Sequence, residues 1–135
     1  MPPEPEERIA IESDNDVVTA RQRARELAAK LDLTSTDQTL LATAISEVAR
    51  NITTYAGTGE VALRVLRDRG REGIEVLASD DGPGIEDVEL ALQDGYTTGN
   101  GLGLGLPGAR RLVDEFDLET RPGEGTRVRL VKWRV

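Results

Sequence analysis

Cysteine and histidine are both missing from the 135 residues, and each omission closes off a body of chemistry. Without cysteine there is no disulfide, no thiolate zinc ligand and no thiol nucleophile, and nothing points to an oxidising compartment. Without histidine there is no phosphohistidine, no Ser-His-Asp triad and no imidazole base, so proton transfer near neutral pH falls to a carboxylate. Aromatics are scarce, with one Trp, one Phe and two Tyr, which leaves a core of Leu, Val, Ile and Ala. Positive charge is in deficit: 17 Lys and Arg stand against 25 Asp and Glu, a net charge of −8. An acidic surface repels nucleic acid, so no nucleic-acid partner is expected. There is no run of about 18 apolar residues, and Met1 to Glu7 has neither the basic flank nor the apolar stretch of a signal peptide. A cytoplasmic protein with no membrane partner is expected, with a flexible tail over 1–7 and a single domain over 8–135.

Against this background one segment stands out. Glycine occupies every second position from Gly99 to Gly105 in the run Gly99-Asn100-Gly101-Leu102-Gly103-Leu104-Gly105-Leu106-Pro107-Gly108. Stripping side chains in this way lets backbone N–H groups wrap an anion while φ is free to turn positive. Gly103 to Gly108 satisfies G-x-G-x-x-G, but a dinucleotide fold needs a buried strand before it, and Asp94-Gly95-Tyr96-Thr97-Thr98 is polar and turn-like. A Walker A loop is excluded because the only lysines are Lys30 and Lys132. A plain flexible linker would not need the leucines that alternate with the glycines.

Periodicity supplies the frame. Arg8 to Glu12 alternates as a strand, and Val17, Ala20, Ala24, Leu27, Ala28 and Leu31 recur at helical spacing after Ser13-Asp14. A second helix starts near a cap at Ser35-Thr36-Asp37, carries Leu40, Leu41, Ala44, Ile45, Val48, Ile52 and Tyr55, and ends at Gly57-Thr58-Gly59. Glu60 to Arg67 and Gly73 to Ser79 read as a hairpin joined through Asp68 to Glu72. A short helix is expected over Ile85 to Leu92 and another from about Pro107 to Glu115, where proline suits the first turn. A last hairpin runs over Phe116 to Thr120 and Thr126 to Trp133. This order implies a two-layer α/β sandwich, one sheet with helices on one face.

Three further constellations accompany the glycine loop. Glu47 and Asn51 lie one helical turn apart, beside the apolar stripe. Asn51 offers a neutral oxygen suited to Mg2+, and Glu47 could take a proton from a hydroxyl or water, although the pair also reads as an ordinary helix-surface pair. Asp80-Asp81-Gly82-Pro83-Gly84 follows a strand; its first carboxylate could accept from the adenine amine, and the same residues also suit a tight turn. Gly123-Glu124-Gly125-Thr126 is a hairpin turn whose threonine hydroxyl could back up that carboxylate.

Together, in this order, the four segments resemble the nucleotide site of the superfamily of gyrases, heat-shock chaperones, histidine kinases and MutL, the Bergerat or GHKL ATPase fold. The resemblance implies an α+β sandwich with a mixed, mainly antiparallel sheet of about five strands. It implies ATP or ADP and Mg2+ as ligands, with Glu47 as catalytic base, Asn51 on the metal and the nucleotide, and Asp80 on the adenine amine. Gly82 and Gly84 with Ile85 would form the first glycine box. Gly101, Leu102, Gly103, Leu104 and Gly105, with Thr97 and Thr98 before them, would form the second, and Thr126 would close on adenine.

Within that superfamily the chain is similar to the small partner-switching serine/threonine kinases of bacteria, the RsbT-type switch kinases of the stressosome. The likeness runs from Asp14-Asn15-Asp16-Val17-Val18-Thr19-Ala20-Arg21-Gln22 through Ser46-Glu47-Val48-Ala49-Arg50-Asn51-Ile52, Gly95-Tyr96-Thr97-Thr98 and Leu106-Pro107-Gly108 to Arg111-Leu112-Val113-Asp114-Glu115-Phe116-Asp117. It implies STAS-domain antagonist and scaffold proteins as substrates and a PP2C-type phosphatase as a further partner. Thr53-Thr54-Tyr55 stands where related anti-sigma kinases usually carry a histidine, which weighs against direct sigma-factor capture. The competing reading is a nucleotide-gated binding module, an anti-sigma-like regulator with incidental catalysis. No lysine or arginine occurs from Gly95 to Gly108, so slow turnover is expected of a site with no fixed cation at the phosphates. Arg50 or a partner could supply one, though Arg50 reads first as an ion-pair partner of Glu47.

Overall fold

The computed structural model of the chain describes residues 6–85 and 105–134. Two capped helices set the first layer. Ser13 precedes α1 (Asp14–Lys30), and the Asp16 carboxylate closes its first turn by accepting from the backbone N–H groups of Glu12 at 2.8 Å and Ser13 at 3.2 Å. The cap of α2 (Ser35–Tyr55) is Thr34, one residue before the expected cluster; its hydroxyl accepts from Asp37 N–H at 3.0 Å. Asp37 serves elsewhere, since its carboxylate meets the buried Lys132 Nζ at 3.6 Å. The same ammonium reaches Asp114 at 3.4 Å, so a buried cation ties the start of α2 to the sheet. Such a pair fixes geometry more than it adds net stability.

The second layer is a five-stranded sheet of β1 (Glu7–Ile11), β2 (Gly59–Asp68), β3 (Arg71–Asp80), β4 (Glu115–Arg121) and β5 (Gly125–Trp133), in spatial order β1-β2-β3-β5-β4. Every described pairing is antiparallel. The expected two-layer α+β architecture is therefore present. Val61, Leu63, Ile74, Val76, Ala78, Val128 and Leu130 face the helices and are buried with Leu41, Ala44, Ile45 and Val48 of α2. The other face is tied by charge: Glu75 receives Arg64 at 2.8 Å and Arg129 at 2.8 Å, and Arg129 also reaches Glu115 and Asp117 at 3.2 and 3.3 Å. An antiparallel sheet can leave such a face uncovered.

Three boundaries differ from expectation. The β2–β3 hairpin turns on Arg69 and Gly70 alone, with φ of 52° and 80°, because a two-residue turn with both φ positive matches the strand twist better than a longer loop. Helix α3 (Gly105–Leu112) starts two residues before Pro107 and stops short of Glu115. Its end is set by the sheet: Asp114 N–H donates to Val131 O at 2.9 Å and the Asp114 carboxylate accepts from Trp133 N–H at 2.7 Å, so β4 begins at Glu115. Glu7 already stands in β1, so the expected tail is shorter by that residue, and residues 1–5 lie outside the described ones. Ile85 is not helical, and 86–92, where a short helix was expected, lies outside the described residues too.

Trp133, the only tryptophan, closes the far end of the sheet. Its indole N–H donates to Glu115 at 2.6 Å, and the Arg71 guanidinium lies 4.2 Å from its ring centroid. The indole hydrogen bond first, and Arg129 second, hold the Glu115 carboxyl below the usual carboxylate range. A carboxyl depressed in the folded state stabilises the fold above its unfolded value, and that contribution is lost only as pH falls through the lower folded value. Trp133 fluorescence followed from neutral to acid pH should therefore change below the ordinary glutamate range, and Glu115→Gln should remove that step.

Candidate functional site

The site is built around the inner face of α2. Glu47 falls among Ala44, Ile45 and Val48 on the buried side and is 8% exposed. Its carboxylate is held at both oxygens: Arg50 Nη1 donates to Oε1 at 3.2 Å, and Gly105 N–H, at the start of α3, donates to Oε2 at 2.8 Å. A carboxylate at a helix N-terminus satisfies an orphan N–H and meets the positive end of the helix dipole. The contact ties the middle of α2 to Gly105 of α3. A carboxylate has about four lone-pair sites, so two donors leave room for a proton from a further group. Arg50 is the ion-pair partner of Glu47, its side chain 48% exposed.

One turn on, Asn51 is half-buried, and its carboxamide has no hydrogen-bond partner among the described residues. No cluster of three or more acidic side chains suited to a metal occurs among those residues either. A neutral oxygen on a helix, with no acidic cage, fits a cation carried in by phosphates, since Mg2+ keeps most of its waters and borrows phosphate oxygens.

At the end of β3, Asp80 Oδ1 accepts from Gly82 N–H at 2.8 Å, an Asx turn that aims the carboxylate. Gly82 sits against the end of α2, where an added Cβ would lie 2.6 Å from Ala56 Cβ. Gly84 has φ of 75°, and a Cβ there would collide with the Arg121 carbonyl. The turn is further closed by Gly123 N–H donating to Pro83 O at 2.6 Å. Gly84 is thus required by backbone packing, whatever approaches from outside. Ile85 N–H donates to the Thr120 hydroxyl at 2.9 Å, so Ile85 offers its side chain and not its N–H.

Thr126 is 6% exposed and pairs with Asp80 across β3–β5 and with Thr120 across β4–β5. Its hydroxyl lies 3.0 Å from that of Thr120. Glu47 and Gly105 are thus joined directly, and Asp80, Thr126, Gly84 and Ile85 gather at the neighbouring end of the sheet. Thr97, Thr98, Gly101, Leu102, Gly103 and Leu104 lie outside the described residues. Thr120 was not anticipated from sequence. The signal was there, because a turn centred on Gly123 pairs residue 120 with residue 126.

Comparison with known proteins follows the same lines. The model of the histidine kinase-, DNA gyrase B- and HSP90-like ATPase family matches residues 36–135. The serine/threonine-protein kinase RsbT of Bacillus subtilis is 46% identical over 125 residues, 93% of this chain and 94% of that protein. The chain belongs to the RsbT-type kinases of this ATPase family. An anti-sigma F factor of Caldanaerobacter subterraneus is 34% identical over 120 residues, covering 84% of this chain and 82% of the relative. Among solved structures, the RsbU and RsbW domains of a Mycobacterium tuberculosis protein match with a TM-score of 0.65 at 23% identity. That alignment covers 97% of this chain and 33% of the other, and shows a shared fold. The RsbT-type chain is thus a protein serine/threonine kinase by family, on an ATPase scaffold. Among its described residues no helix is long and apolar enough to cross a membrane.

Two glycines with nearly equal φ separate strain from collision. Gly123 has φ of 80° with nothing within 4 Å of an added Cβ, whereas Gly84 faces Arg121. Gly123→Ala should cost about 1 kcal/mol in urea denaturation, and Gly84→Ala at least about 2 kcal/mol. Equal losses would show that the collision is relieved by movement of the β4–β5 turn.

Proposed function

We propose that this kinase transfers the γ-phosphate of ATP to a serine or threonine of STAS-domain antagonist and scaffold proteins. Released from them, it activates a PP2C-type phosphatase in a cytoplasmic stress-response switch controlling a sigma factor. The observation that carries the enzymatic half is the Glu47–Gly105 hydrogen bond. It brings a buried carboxylate to the N-terminus of the helix that follows the glycine loop, where phosphates are favoured. The partner-switching half rests on likeness to the RsbT kinase and to anti-sigma F factors.

In this reading Asp80 accepts a hydrogen bond from the adenine amine through Oδ2, the oxygen that the Asx turn leaves open. Asn51 would hold Mg2+, which when bound neutralises charge on the phosphates. The N–H groups of the glycine segment before Gly105 would orient the triphosphate, because the Gly105 N–H is itself given to Glu47. Glu47 orients the incoming hydroxyl and takes its proton as the acceptor oxygen bonds to the γ-phosphorus and the bond to the bridging oxygen breaks. Arg50, donating to Oε1, holds Glu47 in place. A cleft of about 400 Å3 between α1 and α2, lined by Val17, Val18, Arg21, Arg50 and Thr53 among others, adjoins Glu47 through Arg50. It offers an acceptor protein a foothold beside the base.

Glu47→Gln isolates the proton transfer. Its amide oxygen can still accept from Gly105 N–H, so the start of α3 is preserved while the base is removed. Transfer of labelled phosphate to a STAS partner should fall by about a hundredfold or more, with ATP binding retained. Transfer at the wild-type rate would remove Glu47 from the role and favour a nucleotide-gated binding module. Asp80→Asn should weaken ATP binding by about tenfold and narrow its advantage over GTP; unchanged calorimetric titrations would take Asp80 out of the base pocket.

A further inference from the structure

The hydroxyl of Thr120 is saturated, and its saturation fixes the direction of a second hydroxyl. A threonine hydroxyl has one proton to donate and two lone pairs to accept with. Thr120 Oγ1 accepts from Ile85 N–H at 2.9 Å and donates to the Gly125 carbonyl at 3.0 Å. Its remaining contact is Thr126 Oγ1 at 3.0 Å, where either oxygen could be the donor by distance alone. The proton count decides. A carbonyl cannot donate, so all three contacts are made together only when Thr120 gives its proton to Gly125 and the Thr126 hydroxyl donates to Thr120.

The consequence is felt across the sheet. Thr120, Thr126 and Asp80 are register partners on three adjacent strands and share the helix-facing side. With its proton turned toward Thr120, Thr126 faces Asp80 with lone pairs only. A carboxylate is acceptor-only as well. The row therefore presents acceptors and no donor.

We propose that Thr120 is a specificity-determining positioning residue, which holds the Thr126 proton away from the base pocket so that the pocket accepts an amino edge and rejects a carbonyl edge. The inference rests on the reading above that Asp80 meets the nucleobase. Adenine brings an amino group that donates to such a row. Guanine brings a carbonyl oxygen at the same position and meets only lone pairs, leaving buried acceptors facing one another. Freed from Thr120, the Thr126 hydroxyl could rotate and donate to that carbonyl.

The test is the ratio of ATP to GTP affinity, measured by calorimetry on the full chain for wild type, Thr120→Val, Thr120→Ala and Thr120→Ser. Loss of the hydroxyl should let GTP gain, so that the ratio falls by about five- to tenfold in Thr120→Val. Thr120→Ala, which adds no methyl to be packed, should behave alike if Thr120→Val does not fold. Thr120→Ser keeps a proton and both lone pairs and should keep the wild-type ratio. A purely structural role would weaken both nucleotides together and leave the ratio unmoved. A wild-type protein that prefers ATP while the hydroxyl-free variants keep that preference overturns this inference alone. A wild-type protein that binds no ATP overturns the nucleotide reading and this inference with it.

Discussion

The Glu47 carboxylate joins residues 58 positions apart, and much of the site's geometry depends on that bond. Helix α2 is pinned along its length by three unlike contacts. Near its start, Asp37 meets the buried Lys132 ammonium; in the middle, Glu47 holds Gly105. Near its end, Ile52 presses on Gly59, where an added Cβ would lie 2.7 Å from Ile52 Cγ2. Apolar burial alone would let a helix slide or rotate on the sheet, since that force has no direction. Directional contacts at its start and middle, with a steric stop at its end, fix which residues face inward, and so place Glu47 against Gly105 of α3.

At the ends of β3 and β5 the governing constraint is backbone against backbone. Gly125 has φ of 88°, and a Cβ there would collide with the Asp80 carbonyl; Gly84 stands in the same relation to Arg121. These close approaches bring the Asp80 turn against the β4–β5 turn and leave Ile85 N–H over Thr120. Gly84 and Gly125 are explained by the protein's own packing, which is a narrower claim than that they clear space for a ligand. The polar row of Asp80, Thr126 and Thr120 exists because the turns hold the strands in register.

Much of the fold was legible because its determinants are local. Strand alternation marked Val61, Leu63, Ile74 and Val76, and the helical stripe of Ala44, Ile45 and Val48 marked the buried face of α2; all of these are buried. What escaped was set at a distance. The cap moved to Thr34 because Asp37 was wanted by Lys132, nearly a hundred residues away, and the Glu47–Gly105 bond spans 58 positions. In the candidate site, Glu47, Asn51, Asp80 and Thr126 were visible as residue types in a recognisable order. Thr120 was not, since its weight comes from three hydrogen bonds that register alone brings together. A motif names the groups that would touch a ligand and is silent about those that orient them.

The distribution of positive charge bears on tempo. Phosphoryl transfer depends on positioning and on neutralising charge at the phosphates, and a single arginine can be worth a factor of about a thousand or more. The segment from Gly95 to Gly108 has no lysine or arginine. Arg50, three residues on along the same helix, has one guanidinium nitrogen on Glu47. Moving Arg50 to the phosphates would strip Glu47 of a counter-charge, so the two needs compete for one side chain. On the proposed reading, a cation brought by the acceptor protein would resolve the competition, leaving Arg50 on the base while the phosphates gain their charge. A kinase short of one cation is then fast only when its correct partner is docked, and that dependence is itself a means of discriminating between partners.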